Sequence, residues 1–228
     1  PDTTKRNPMR KLLTLGLFFL SLPAVAMELP VDDLAKWTTL SFNGIRPNEV
    51  GISDRALHIQ VRGSASPLIF RLDKATHITG ITVVASWVGE LRIPEGATQG
   101  GENADDFVLK FGIVESGDQT LNWIRRRIAA DWIRQLFSLA PRGSGVSRIN
   151  FLSTTRQPEL LGSSRTHPLS ELLHETRIVY LDGPGDFEMS YRFPAPVEAL
   201  GLWISADGDD TGSTFDLSIN RITLHTVP

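Results

Sequence analysis

The densest chemistry in the sequence lies in Asp207-Gly208-Asp209-Asp210-Thr211-Gly212, where three carboxylates and a hydroxyl crowd a turn punctuated by glycine. Hard cations want several oxygens held on a tight loop, and an EF-hand supplies them at fixed positions. Asp207, Asp209 and Thr211 fall where its first, third and fifth positions would, with Gly212 at the sixth. The twelfth is Ser218 instead of a bidentate Glu, and strand-like segments flank the loop, so the EF-hand is excluded. What stays open is a structural Ca2+ on Asp207, Asp209 and Asp210, with Asp105 and Asp106 as additional ligands. The competing reading is a turn whose Asp and Thr side chains bond their own backbone.

Other chemistry is thinner. Histidines stand scattered at 58, 77, 167, 174 and 225, and His174-Glu175 lacks the second histidine of a zinc-protease helix. Gly143-Ser144-Gly145 lacks the strand-to-helix setting of a nucleophile elbow. Acidic pairs for sugar hydrolysis are available, but their separation decides such a role and sequence does not give it. No catalytic residue is assigned.

Alternation of apolar and polar residues dominates the elements that must position these groups. Ala56–Arg62 alternates cleanly, Leu68–Leu72 and Ile78–Val88 read as strands, and from Asp106 the residues Phe107, Leu109, Phe111 and Ile113 share a face opposite Lys110. Residues 94–105, rich in Gly, Glu, Asn and Gln, read as a mobile loop. Leu121–Ala140 changes period: Leu121, Ile124, Ile128, Trp132 and Leu136 recur at helical spacing, with arginines largely opposite. Strands resume at Arg148–Ser153, Arg177–Asp182, Phe187–Phe193 and Gly201–Ser205, with a helical turn over Leu169–His174 before Arg177. A last strand, Thr214 to about His225, changes parity between Ile219 and Ile222, which a bulge near Asn220-Arg221 would repair. With Gly201–Ser205 it reads as a hairpin closed by the acidic turn. Many short strands and one helix predict an antiparallel β-sandwich of jelly-roll type, mainly β with one inserted amphipathic helix, in a single domain over residues 27–228.

The N-terminus predicts export. Arg10-Lys11, the uncharged apolar run Leu12–Leu22 and Ala24-Val25-Ala26 form a signal peptide over residues 1–26, with an over-extended start before Met9. The apolar run is shorter than the roughly 20 residues a membrane span needs, so no span is expected after cleavage. Cleavage removes four basic and one acidic residue from totals of 23 and 26, leaving a net charge of −6. An acidic domain without clustered Lys and Arg argues against nucleic acid as a partner. Cysteine is absent, so the fold relies on its core without disulfides.

Ser86-Trp87-Val88, Ala104-Asp105-Asp106-Phe107, Ile149-Asn150-Phe151-Leu152, Arg177-Ile178-Val179 and Ala206-Asp207-Gly208-Asp209-Asp210-Thr211-Gly212 occur in an order that resembles the domain of unknown function 3047 family of exported bacterial proteins. The resemblance runs from about Trp37 to Leu224, and departs where the family carries an aromatic-Val-Trp stretch and this chain has Phe151-Leu152-Ser153. It implies a galactose-binding-like β-sandwich and brings no activity.

Together these readings predict a periplasmic or secreted, non-catalytic binding module with an envelope or extracellular glycan as ligand. The alternatives are a carboxylate-based polysaccharide hydrolase and a structural envelope protein without a small ligand. Binding calls for exposed aromatic residues on a sheet face or loop rim. Hydrolysis calls for two carboxylates across a cleft, and a structural role for Trp87, Trp123, Trp132 and Trp203 all buried.

Overall fold

The computed structural model describes residues 25–120, 131–141, 144–167 and 171–227. Residues 1–24 of the expected signal peptide and 121–130 of the expected helix lie outside these. The chain is an antiparallel β-sandwich of jelly-roll type, and the alternating segments become its strands: β1 (Val25–Glu28), β2 (Trp37–Thr39), β3 (Glu49–Ser53), β4 (Ala56–Arg62), β5 (Leu68–Glu90) and β6 (Phe107–Gly117). After the short helix α1 (Asp131–Ser138) come β7 (Gly145–Thr155), β8 (Ser164–Thr166), β9 (Leu173–Tyr180), β10 (Gly185–Asp207) and β11 (Thr214–Thr226). The expected cleavage point after Ala26 falls inside β1, whose residues Met27 and Glu28 pair with Leu224 and Thr223 of β11.

The strands follow one hydrogen-bonded path, β3-β4-β11-β5-β10-β6-β7-β9-β8. It folds over on itself because β5 and β10, 23 residues each, serve two layers. The C-terminal portion of β5 pairs with β11 and with Gly185–Arg192 of β10, building layer A with β3, β4 and β1. The N-terminal portion of β5 pairs with β2 and with Gly201–Ile204 of β10, which continues into β6, β7, β9 and β8 as layer B. β7 and β9 run parallel, and the other pairs are antiparallel. The residues on either side of each bend read as separate strands in sequence because the bends are polar or proline-rich: Asp73 to Thr76 in β5, and the register shift from Arg192 to Val197 in β10.

Between the layers lies the main core. Leu57, Ile59 and Val61 of β4, Val83 and Ala85 of β5 and Phe215, Leu217 and Ile219 of β11 meet Leu109, Phe111 and Ile113 of β6 and Leu202 and Ile204 of β10. The bulge expected near Asn220-Arg221 is present, between Ile219 and Arg221, and it puts Ile222 and Leu224 back into this core. A second apolar cluster covers part of layer B's outer face, where Leu136 and Leu139, on and just after α1, cover Val114, Ile149 and Leu200.

Three local expectations are corrected. β10 and β11 do not form a hairpin, because β5 is inserted between them, and Asp207–Gly212 arches from layer B to layer A. The helical turn expected over Leu169–His174 does not reach Leu173 and His174, which lie in β9, where side chains alternate between buried and half-buried; residues 168–170 lie outside the described ones. Residues 94–105 are tied down: buried Gln99 donates to the Asp106 carbonyl (2.8 Å) and accepts from Thr155 Oγ1 (3.0 Å) and Arg156 N (2.7 Å). Among the described residues no helix is long and apolar enough to cross a membrane.

Candidate functional site: a charged pocket on the outer face of layer B

Strand alternation places the site. Outward-facing positions form two rows across layer B: Trp203, Gly112, Phe151, Glu175 and Arg165 in one, Ser205, Lys110, Ser153 and Arg177 in the next. Gly112 has no side chain because the Phe151 ring lies 2.7 Å from where a Cβ would stand. That lets Phe151 meet Trp203 edge to face, centroids 5.8 Å apart. At this aromatic pair the outer face changes character: apolar and covered by α1 on one side, charged and, among the described residues, open on the other.

The open side is a pocket of about 390 Å³. Phe42, Ile45, Phe151, Leu173 and Trp203 form its apolar wall, and Asp105, Lys110, His167, Glu175, Asp207, Asp209 and Asp210 its polar wall. At its floor Lys110 Nζ lies 3.5 Å from Glu175, 3.6 Å from Asp105 and 3.7 Å from Asp207, and 4.2 Å from the Phe107 ring centroid. Lys110, Glu175 and Asp207 are 7%, 2% and 8% exposed, so this charge network is buried. Arg165 ties it together from behind, bonding Glu175 through Nε at 2.5 Å, Asp105 at 2.9 Å and the Gly100 carbonyl. His167 Nε2 lies 3.2 Å from the other Asp105 oxygen, and Arg177 donates to the Gln99 carbonyl at 3.0 Å.

One ammonium among three carboxylates sets the protonation pattern. Burial pushes the Asp207 carboxyl up to about 7, because Lys110's opposing charge is shared and Asp105 and Asp209 repel. For Lys110 burial acts downward, but Asp207, Asp105 and Glu175 outweigh it and hold the ammonium above its ordinary value. Burial would likewise raise Asp105, yet the hydrogen bond from His167 and the charges of Lys110 and Arg165 hold it low. Asp209 is raised, first by burial and then by its neighbours Asp106 and Asp210.

All five carboxylates singled out in the sequence gather here, in two roles. Asp106, fully buried, accepts from the amides of Asp210 (3.2 Å) and Thr211 (2.8 Å) and from the Thr211 hydroxyl (2.6 Å). Asp210 in turn accepts from the Asp105 amide at 3.0 Å. These bonds fold the acidic arch onto the entry to β6. Asp105, Asp207, Asp209 and Asp210 line the pocket. Among the described residues the ligand trio that comes within 4.8 Å is Asp105, His167 and Glu175, with Lys110 and Arg165 already against it. Lys110, Arg165, His167, Glu175 and Arg177 were not singled out, although one signal was available: Lys110 shares its face with Val108, Gly112 and Val114, an apolar setting in which a charge needs a partner.

Trp87 and Trp203 are both buried, the second as a wall of the pocket, while the side chains of Trp123 and Trp132 lie outside the described residues.

No protein-family model matches the chain, and no curated protein matches it. Solved structures similar to it include the family 11 carbohydrate-binding module of the cellulosomal cellulase Lic26A-Cel5E of Clostridium thermocellum, at 7% identity and TM-score 0.42 over 91% of this chain and 98% of that one. The metal-free Emp46p carbohydrate recognition domain is similar at 12% identity and TM-score 0.38, over 87% and 95% of the two chains. The Agl-KA catalytic domain gives 10% identity and TM-score 0.34 over 96% of this chain and 30% of that one. Likenesses at this level carry no argument about the chain, whose sandwich rests on its own strand pairing.

Proposed function

We propose that the chain is an exported glycan-binding module, acting in the periplasm or outside the cell, whose ligand enters the pocket on layer B. The observation that carries this reading is the joining of an apolar wall, half-buried Phe42 with Ile45, Leu173 and the small exposed parts of the otherwise buried Trp203 and Phe151, to a wall of carboxylates and one ammonium in a single concavity. A pyranose ring has the same two-sided chemistry: an apolar C–H face that packs on aromatic carbon, and hydroxyls that donate to carboxylates and accept from Lys. The volume is within the range of small-ligand sites, which are concave, mostly apolar and fitted with a few convergent polar groups. Because carboxylates outnumber cations on the lining, uncharged or amino-bearing sugars fit it and uronic acids do not.

The test is calorimetric titration of the full chain with neutral, amino-bearing and uronic-acid oligosaccharides. Saturable binding of the first two, weakened by Trp203→Ala and by Asp209→Asn, is the expected result. Silence across the whole panel would remove the reading.

A second reading rests on Asp207 and Asp105. In one pocket, against one ammonium, the first is pushed up to about 7 and the second held low. A carboxyl that keeps its proton beside one that does not is the division of labour a glycoside hydrolase needs. Chromatography of the same oligosaccharides after long incubation decides it. Cleavage that disappears in Asp207→Asn supports hydrolysis, and intact sugars support binding alone.

A further inference from the structure

The opposite face of layer B carries a second concavity. Among the described residues, layer A ends at Gly185–Arg192 of β10, which pairs with β5 on one side and with no strand on the other, since β10 meets β6 only from Ala199 onward. Layer B continues past that edge through β7, β9 and β8. The inward-facing residues of β7 and β9 beyond the edge, Arg148, Asn150, His174 and Thr176, therefore have no strand of the described residues across from them and are half-buried or exposed.

The register shift in β10 supplies the other side of the groove. Phe193 to Pro196 leave the ladder between Arg192 and Val197, and two prolines in this rim offer no N–H to another strand. Phe193, 9% exposed, packs edge to face on Tyr191 with centroids 5.2 Å apart and fixes the half-buried tyrosine ring toward the groove. The space enclosed is about 400 Å³. Its charges are already matched: Glu115 lies 3.3 Å from Arg148 Nε and accepts from Asn150. An aromatic ring opposite an amide, a hydroxyl and a closed ion pair is the same two-sided chemistry as the pocket without the surplus of carboxylates.

We propose that this groove is a second carbohydrate site, for a stretch of uncharged polysaccharide, so that one molecule holds two glycan segments on opposite faces of layer B. This rests on the glycan reading of the pocket. Its occupant differs in charge preference: the pocket discriminates against anionic sugars, whereas the groove answers to shape and hydroxyl pattern alone.

The experiment is titration calorimetry with a linear neutral β-glucan hexasaccharide on wild type, Tyr191→Ala and Trp203→Ala, joined to hydrogen-exchange footprinting of the wild type, which needs no variant to fold. The expected result is a stoichiometry of about two in wild type and about one in Tyr191→Ala, with exchange protection over Tyr191 to Val197 and over Arg148 to Leu152. A single site that Tyr191→Ala leaves unchanged, with no protection on that segment, overturns the second site and leaves the pocket standing. A single site lost in Tyr191→Ala and kept in Trp203→Ala overturns the two-site proposal and moves binding away from the pocket. If no oligosaccharide binds anywhere, the glycan reading and this inference fall together.

Discussion

Replacing Asp207 by Asn should make the protein more stable at neutral and mildly alkaline pH. In the folded protein burial lifts the Asp207 carboxyl from its ordinary 3.8 to about 7, even with Lys110 at 3.7 Å. The folded state therefore holds the proton more tightly than the unfolded chain. Its stabilising contribution is complete below pH 3.8 and is lost as the pH rises through about 7. Over that interval the loss is about 1.4 kcal/mol per pH unit, roughly 4 kcal/mol in all. Asparagine keeps the shape of the neutral acid at every pH and leaves Lys110 with Asp105 and Glu175. The variant should match wild type near pH 4, pull ahead steadily, and melt roughly 10 °C higher by about pH 8, given a few degrees per kcal/mol for a domain of this size. Asp106, Asp209 and Glu115 are raised in both proteins and cancel in the difference. Calorimetry and urea unfolding of both proteins at several pH values measure it. A variant less stable than wild type at pH 8 would refute the reasoning, because Asp207 and Lys110 would then be a net stabilising pair.

Removing the shared cation acts in the opposite sense. Lys110→Met leaves Asp207 without its ion-pair partner and Glu175 paired with Arg165, and should cost about 3–5 kcal/mol at pH 8, shrinking toward pH 5 as Asp207 takes a proton. Asp106→Ala frees two amides and a hydroxyl of the arch. A loss of about 2–4 kcal/mol by urea unfolding, with faster amide exchange at Thr211, is expected. Gly112→Ala drives a methyl into the Phe151 ring and should cost about 1–3 kcal/mol while reducing oligosaccharide affinity, through displacement of Phe151 from Trp203. Because Asp106 is committed to the arch and Asp207 to Lys110, neither calcium nor EDTA should move the melting temperature. A calcium-dependent rise would support the metal reading of Asp207, Asp209 and Asp210.

Local sequence made some of this structure readable and hid the rest for definite reasons. The alternation of Ala56–Arg62 gives β4 with its observed ends, and the parity break before Ile222 gives the bulge in β11. The bends of β5 and β10 look like loops because hydropathy reports burial, and a strand crossing between layers passes through solvent at Asp73 to Thr76 without ending. Which strand lies beside which is a long-range matter: nothing near Asp207–Gly212 shows that β5 is inserted between β10 and β11. Half of the site was legible for the same reason. The acidic turn and the Asp105-Asp106 pair are dense in sequence, whereas Glu175, Arg165 and His167 become neighbours only after β8 and β9 join the sheet.

Two strands shared between both layers also govern the order in which the molecule can be completed. β5 is made well before both of its main neighbours, β10 and β11. Neither layer can close until β10 and β11 have been made, so β5 waits for both of its main partners. Once closed, neither layer can come away by itself, because opening either breaks strands that the other needs. The finished molecule should therefore open in a single step.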